Sequence, residues 1–220
     1  MALFTRRNIR ATVLASVPWF LQDLGTYGIG VFTPAILASA VGHNVAYVRN
    51  LADLINNDEL AARGSGFIDL LLIVGIVAAV LLVNRFGSIR LQTVGFIGCA
   101  VGLATAASSA YFTGGAEIAT IFIGFMIFNF MTNMGPNSQT YLLAGEVFPT
   151  AVRGMGAGFA AAFAKIGAVS TAFLSPILLA DIGREALLFI LVCTSLLGAL
   201  VTSAFQINTT GVNLETVGEK

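Results

Sequence analysis

Six long apolar stretches divide the chain, and short polar segments separate them. A hydrocarbon core about 30 Å thick needs about 20 helical residues. Stretches of that length are residues 12–37, 66–83, 91–112, 118–143, 154–179 and 186–205. They are too long and too uniformly apolar for barrel strands, and backbone groups in lipid must be bonded within their own segment. The pattern therefore predicts an all-α integral membrane protein with six transmembrane helices.

The segments between the apolar stretches predict loops. Residues 42–63 form the one long polar link, with Asp53, Asp58 and Glu59, while the links at 84–90, 113–117, 144–153 and 181–185 are short. Short links make successive helices antiparallel neighbours. We therefore expect a basic N-terminal segment over 1–11, a six-span bundle over 12–205 and a tail over 206–220.

Composition excludes several classes of function. The chain is 57% apolar and 10% charged, its mean hydropathy is +0.89, and its net charge of zero leaves no basic patch for nucleic acid. The single histidine, His43, has no metal-ligand spacing around it, and phosphate-loop or nucleophile-elbow motifs are absent. We expect neither an enzyme nor a bound cofactor or metal.

Basic residues predict the orientation, because cytoplasmic loops carry an excess of Lys and Arg. With the N-terminus in the cytoplasm, the inner loops hold Arg6, Arg7, Arg10, Arg85, Arg90, Arg153 and Lys220, and the outer loops hold Arg49, Arg63 and Arg184. Seven against three places both termini of a multi-pass cell-membrane protein inside. The first stretch lacks a cleavage site and is expected to be a span, not a signal peptide.

Small residues recur four positions apart, which lets helix backbones approach closely. Two such rows are expected to pack within the bundle: Gly98, Gly102 and Ala106, and Gly154, Gly158 and Ala162.

Two ionisable residues interrupt the apolar spans. Asp23 and Lys165 each lie about 11 residues into a span that starts at the same side, or roughly 16 Å deep. A charge there costs about 2.5–3.5 kcal/mol on insertion scales and needs a partner or a function. A carboxylate and an ammonium at matching depth can line a central cavity, where secondary transporters bind substrates. The alternative is a buried salt bridge that only joins two helices.

Aromatic residues flank the acid. Trp19, Asp23 and Tyr27 follow one another at four-residue spacing and make one stripe along the first helix. The indole and phenol donate hydrogen bonds, and the carboxylate can take up a proton. The stripe favours a lining surface, although aromatic residues alone would suit packing.

The fourth span contains a Gly-Pro pair at 135–136 among amide side chains. The pair predicts a kink, which membrane helices tolerate beside protein or a wet cavity. Asn137, Gln139 and Tyr141 then offer neutral hydrogen bonds, or else simply join helices. Depth favours Asn133 over Asn137 as a ligand. Asp69, early in the second span, is expected to be a cap or vestibule residue.

Two motifs resemble a known superfamily. The Asn-Arg-Phe-Gly run at 84–87 resembles the Asp/Asn-Arg-x-Gly signature of the major facilitators, with Ser88 in place of the usual further arginine and Arg90 two places on. The runs at 135–138 and 145–154 resemble the tenth-to-eleventh-helix region of the phosphate:proton symporter family. Their Glu-x-Phe-Pro-Thr-x-x-Arg core is shared with sugar porters, which generally lack a lysine at the position of Lys165.

The resemblance implies one half of a major facilitator fold, its C-terminal bundle. The first span is similar to the seventh helix of the phosphate family, whose Trp, Asp and Tyr contact substrate. By this similarity the phosphate-site residues are Trp19, Asp23, Tyr27, Asn137 and Lys165. Asp23 would also couple protons, and the motifs imply gating roles for Asn84, Arg85, Gly87, Glu146 and Arg153.

The implied activity is proton-coupled symport of phosphate or another anion by alternating access. The family's N-terminal bundle would have to come from another chain, a second copy or the rest of a longer protein. A facilitator for sugars or organic acids remains open, as does a membrane subunit that transports nothing.

Overall fold

The computed structural model describes residues 2–30, 33–34 and 51–207, and its regular structure there is helical. Within the described residues, seven α-helices have defined bounds: α1 Ile9–Gly30, α2 Leu51–Phe86, α3 Ser88–Ala107, α4 Gly115–Met134, α5 Pro136–Glu146, α6 Arg153–Asp181 and α7 Gly183–Ala204. Short 3-10 helices cover Ala2–Phe4, Ser108–Tyr111 and Thr150–Val152. The predicted all-α fold is confirmed. His43, Arg49 and the tail after residue 207 lie outside the described residues.

Five helical segments of the described chain are long and apolar enough to cross a membrane. They are Ala62–Phe86, Ser88–Tyr111, Gly115–Glu146, Thr150–Asp181 and Gly183–Ala204. These segments confirm the second to sixth predicted spans. The first span corresponds to α1, whose 22 residues are not among the five. Its polar residues Thr12, Ser16, Gln22 and Asp23 are buried, as suits a helix surrounded by protein.

The predicted kink in the fourth span is a full break between α4 and α5. Gly135 has φ −114° and ψ −98° and ends α4, and Pro136 begins α5 at a first-turn position where its missing N–H costs nothing. Helix α3 passes this break so closely that a Cβ on Gly95 would lie 2.6 Å from Gly135 Cα. The glycines therefore let α3 cross the break at backbone contact.

Helix packing divides the bundle into two connected cores. Helix α4 packs against α2 and α3, and α3 also packs along α7, while α1 packs mainly against α6, with contacts to α7 and α5. Phe125, Leu103 and Leu188 are fully buried in the first core. Leu143 and Phe148 are fully buried with Trp19 in the second core, around α1. Helix α1 thus lies between α5, α6 and α7.

One of the two predicted small-residue rows packs, and the other does not. A Cβ on Gly102 would lie 2.7 Å from Gly124 O, so α3 and α4 meet at backbone distance, and Ala106 is fully buried. By contrast, Gly154 and Gly158 have open space around their Cα atoms within the described bundle. The prediction that the second row packs inside this chain is wrong, because that face of α6 points away from the other helices.

The long polar link is also shorter than predicted. Helix α2 begins at Leu51 and runs for 36 residues, so residues 51–63 are helical and the loop prediction is wrong there. The segment is polar, but Leu, Ala, Glu and Arg are strong helix formers. The Arg63 guanidinium also donates to Glu59 at 2.6 Å, one turn away.

Candidate functional site

An ion pair joins α1 to α6. Lys165 Nζ donates a hydrogen bond to Asp23 Oδ2 at 2.9 Å. The Asp23 side chain is 3% exposed and that of Lys165 is 49% exposed, so the carboxylate is enclosed and the ammonium reaches the surface of the bundle. The contact is compatible with both sequence-based alternatives, a pair that lines a cavity and a salt bridge that only joins two helices.

Close backbone packing lets the pair form. A Cβ on Gly167 would lie 2.6 Å from Phe20 O, so α6 approaches the backbone of α1 two residues after Lys165. Thr171 Oγ1 also donates to Leu24 O at 3.4 Å, one turn further along. Both contacts follow Lys165 along α6, and on α1 they lie on either side of Asp23.

Tyr27 completes a three-residue group with the pair. Lys165 Nζ also donates to Tyr27 Oη at 3.2 Å, and it lies 5.0 Å from the centre of the tyrosine ring. Tyr27 is 38% exposed. The predicted stripe thus places its acid and its phenol on the same ammonium, and the phenol O–H remains able to donate outward.

Trp19 lies in the same stripe but in a drier environment. It is 4% exposed and meets the ring of Tyr141 edge-on, with 4.4 Å between ring centres. Its Nε1 is buried without a hydrogen-bond partner in the described residues. A buried indole N–H without an acceptor is costly, so this donor is a polar group that the described contacts leave unexplained.

Asn137, on α5, belongs to an amide network that is separate from the ion pair. The network meets α1 at Gln22, next to Asp23 in sequence. Asn137 donates to Asn133 Oδ1 and accepts from Gln22 Nε2 at 3.2 Å, while Asn133 Nδ2 donates to Leu72 O at 2.8 Å. Depth in the membrane favoured Asn133 as a ligand, and similarity of motifs favoured Asn137. The structure shows that the two side chains are hydrogen-bonded to each other. The network connects α1, α5, α4 and α2, and its recorded bonds do not include the ion pair.

The sequence analysis missed several members of this network. Gln22 Nε2 also donates to Thr26 Oγ1 at 2.7 Å, and the hydroxyls of Thr26 and Thr132 are 3.4 Å apart. Gln22 is uncharged and adjacent to Asp23, so the search for ionisable residues within the spans does not select it. The signal was the cluster of Gln, Asp and Thr on two faces of one otherwise apolar helix.

Asp69 does not have the predicted cap role, and its predicted vestibule role stays a prediction. It lies well inside α2, not at a cap, and accepts from Asn129 Nδ2 at 2.9 Å. The prediction assumed that the helix began near residue 66, but α2 begins at Leu51.

One cavity beside α1, within the described residues, is too small for a substrate. A cavity lined by Gln22, Gly25, Phe128 and Thr132, among others, has a volume of about 10 Å³, about the space of one water molecule. The Lys165 side chain and Tyr27 are both partly exposed, so an anion can reach the ammonium from the outer surface of this bundle.

The expected gating residues lie where helices end. Gly87 forms the one-residue turn between α2 and α3 with φ +82°, a backbone conformation that favours glycine. Asn84 and Arg85 are exposed in the last turn of α2. Glu146 ends α5, and Arg153, which begins α6, donates from Nε to Phe148 O at 3.3 Å. Because successive helices run antiparallel, these groups share one end of the bundle.

Comparison with known proteins gives the family. The family model for sugar (and other) transporters matches residues 5–220. An inorganic phosphate transporter of Toxoplasma gondii is 30% identical over 201 residues, which are 91% of this chain and 34% of that protein. A glycerophosphoinositol permease of Candida albicans is 28% identical over 191 residues, 86% of this chain and 34% of that protein. The chain thus spans about a third of the length of these relatives.

A solved structure shares the fold. The proton:xylose symporter XylE, solved with 6-bromo-6-deoxy-D-glucose bound, superposes with a TM-score of 0.74 at 20% identity, covering 98% of this chain and 42% of that one. The family match over nearly all residues agrees with this superposition. The chain therefore belongs to the sugar (and other) transporter family, and its helices form one half of a major facilitator fold.

Proposed function

We propose that this chain is the C-terminal half of a proton-coupled symporter for inorganic phosphate or a related anion. The observation that carries the proposal is the ammonium of Lys165, held by Asp23 at 2.9 Å and Tyr27 at 3.2 Å while half of its side chain stays exposed. The similarity to an inorganic phosphate transporter supports the choice of anion.

In this proposal the carboxylate and the substrate compete for one ammonium. While Asp23 is ionised, it neutralises Lys165, and an oxyanion beside it would be repelled. Protonation of Asp23 removes that repulsion and frees the positive charge for the anion. Proton and anion therefore bind together and travel together.

Neutral donors would complete the anion site. Lys165 acts as a compact charge with three N–H groups, Tyr27 contributes its hydroxyl, and the indole N–H of Trp19 lacks a partner among the described groups. Asn137 would join them if the amide network rearranges, because its recorded bonds go to Gln22 and Asn133.

A second bundle must supply the other wall of the site. The chain covers about a third of its relatives, and the Lys165 side chain is 49% exposed at the outer surface of its own bundle. We propose that a six-helix bundle, or a second copy of this chain, faces Tyr27 and Lys165. Both termini and the end bearing Asn84, Arg85, Gly87, Glu146 and Arg153 would be cytoplasmic, and these five residues would control closure there.

Sugars or organic acids are the second candidate substrate class. The family match is to transporters of sugars and other solutes, and the superposed symporter carries a glucose derivative. A sugar would need neutral donors and acceptors such as Gln22 and Asn137, but it would gain little from Lys165. The charge at the centre of the site favours the anion.

Fluorescence of Trp19, the one tryptophan of the chain, provides a direct test. The purified chain would be titrated with phosphate, sulfate, xylose and citrate at pH 5.5 and 7.5. We expect a saturable change with phosphate, stronger at pH 5.5, that Lys165→Ala abolishes and the distant Arg63→Gln retains. A response to xylose that survives Lys165→Ala would instead assign the site to sugars.

A further inference from the structure

A second cavity lies at the end of the bundle that bears both Arg85 and Arg153, away from the ion pair. It has a volume of about 560 Å³, within the range of small-molecule sites. Its walls come from the end of α2, the start of α3, the break after α4 and the end of α7. Its lining residues include Leu82, Phe86, Arg90, Leu91, Val94 and Met134. None of the proposed substrate residues is among them.

Apolar and basic groups are segregated in this cavity. Leu82, Leu91, Val94 and Met134 make an apolar wall, and Val94 lies one helical turn, about 6 Å, deeper than Arg90. Arg90 is the one charged residue among the described lining residues. The cavity therefore has a hydrocarbon-like interior and a cationic rim.

Two further guanidinium groups adjoin the same rim. Arg10 donates to the backbone carbonyls of Phe205 at 3.4 Å and Gln206 at 3.0 Å, so it lies against the lining segment after α7. Arg85 lies 5.9 Å from the ring centre of Phe86, another lining residue. Arg10, Arg85 and Arg90 thus come from three helix termini that meet at one end of the bundle.

We propose that this cavity binds an anionic phospholipid, with an acyl chain along the apolar wall and the phosphate held by Arg90, assisted by Arg10 and Arg85. A free inorganic anion would gain nothing from the apolar wall, and a zwitterionic lipid would bring its own cation towards the arginines. Basic pockets between transmembrane helices at the cytoplasmic side suit such headgroups. Because Phe86 and Arg90 flank the Gly87 turn, a lipid bound there would steady the connection between α2 and α3.

The test is lipid titration of the purified, delipidated full chain by native mass spectrometry. We expect dioleoyl phosphatidylglycerol to bind one molecule per chain, about fivefold or more tighter than dioleoyl phosphatidylcholine. Arg90→Gln should remove about fivefold of that affinity, equivalent to about 1 kcal/mol for one arginine near an anionic headgroup. Val94→Trp places a large side chain in the cavity beside the apolar wall, so it should lower the affinity for both lipids.

Arg63→Gln is the matched control, since Arg63 lies about 35 Å along α2 from Phe86 and pairs with Glu59. Unchanged thermal unfolding would show that the variants fold. Equal affinity for the two lipids, full phosphatidylglycerol binding by Arg90→Gln, or no effect of Val94→Trp would each overturn the proposal. Displacement of the lipid by inorganic phosphate at equal concentration would also overturn it, because the acyl chain would then contribute nothing.

Discussion

At the scale of single residues, the ammonium of Lys165 is the group on which the proposed transport depends. Lys165→Ala leaves Asp23 and Tyr27 in place but removes the positive charge. The lysine side chain is half exposed, and the buried Asp23 can take up a proton when its cation is removed, so we expect the variant to express and fold, with some loss of stability. Anion uptake by the assembled transporter should fall to background in a radiolabelled phosphate assay, while Arg63→Gln retains it. Uptake at the normal rate would remove Lys165 from the site.

Asp23 is the residue whose charge would couple proton and anion. Asp23→Asn mimics the protonated acid, so Lys165 remains free to bind the anion at every pH. We expect phosphate exchange across proteoliposomes to continue, and accumulation driven by a pH gradient to stop. Glu59→Gln, at an exposed position on α2, is the control. Continued accumulation by Asp23→Asn would place the coupling proton elsewhere.

The pair could instead serve only to join α1 and α6. Removing one partner of a buried pair typically costs about 3–5 kcal/mol, whereas replacing both by neutral groups is often tolerated. The double variant Asp23→Asn/Lys165→Met should therefore unfold at nearly the normal temperature. Phosphate should no longer change the Trp19 fluorescence of this variant. A double variant that transports normally would show that the pair is structural.

At the scale of helices, backbone contact between α3 and α4 stabilises the first core. A Cβ on Gly124 would lie 2.5 Å from Ala106 N, so Gly124→Leu forces the helices apart. Overpacking of this kind costs typically 1–3 kcal/mol or more. We expect a lower unfolding temperature in detergent for Gly124→Leu than for the unaltered chain.

Gly158→Leu is the matched control for that substitution, because Gly158 has open space around it. It should leave the unfolding temperature of the isolated bundle unchanged or slightly higher, since leucine is the better helix former. A large loss of stability would mean that the exposed face of α6 packs within the chain after all.

Helix existence and type could be predicted from the sequence, because five spans are long and uniformly apolar. The kink at Gly135 and the matching depth of Asp23 and Lys165 could be predicted, because each interrupts an apolar run. The sequence did not decide whether the two charged residues line a cavity or only join two helices, since both alternatives place them level with each other. The extent of α2 was not predictable from hydropathy, since residues 51–63 are polar but helical. The spacing of small residues also does not show whether the helix face that carries them has a neighbouring helix. That face of α3 packs against α4, and that face of α6 has no neighbour in the described bundle.

The amide network shows the same limit at the candidate site. Asn137 bonds to Asn133 and Gln22 because α4, α5 and α1 converge at the break, a relation between three segments far apart in sequence. Similarity of motifs singled out Asn137 as a candidate site residue, but it gave no sign of the hydrogen bonds to Asn133 and Gln22.

At the scale of the whole molecule, a half-sized bundle is not expected to transport alone as a monomer. The proposed site opens outward at Lys165, and the cavity beside Gln22 holds only about 10 Å³. We expect proteoliposomes with this chain as a monomer to show no phosphate flux, and flux to appear when a complementary six-helix bundle or a cross-linked second copy is added. Flux from monomers at single-copy loading would show that one bundle forms a complete pathway.

The unequal exposure of the ion pair has a kinetic consequence for the proposed symporter. Asp23 lies behind Lys165 and Tyr27, so an anion resting on the ammonium would block the approach of solvent to the carboxylate. The proton must then load first and unload last, and anion affinity measured from either side would depend on the acidity of that side alone.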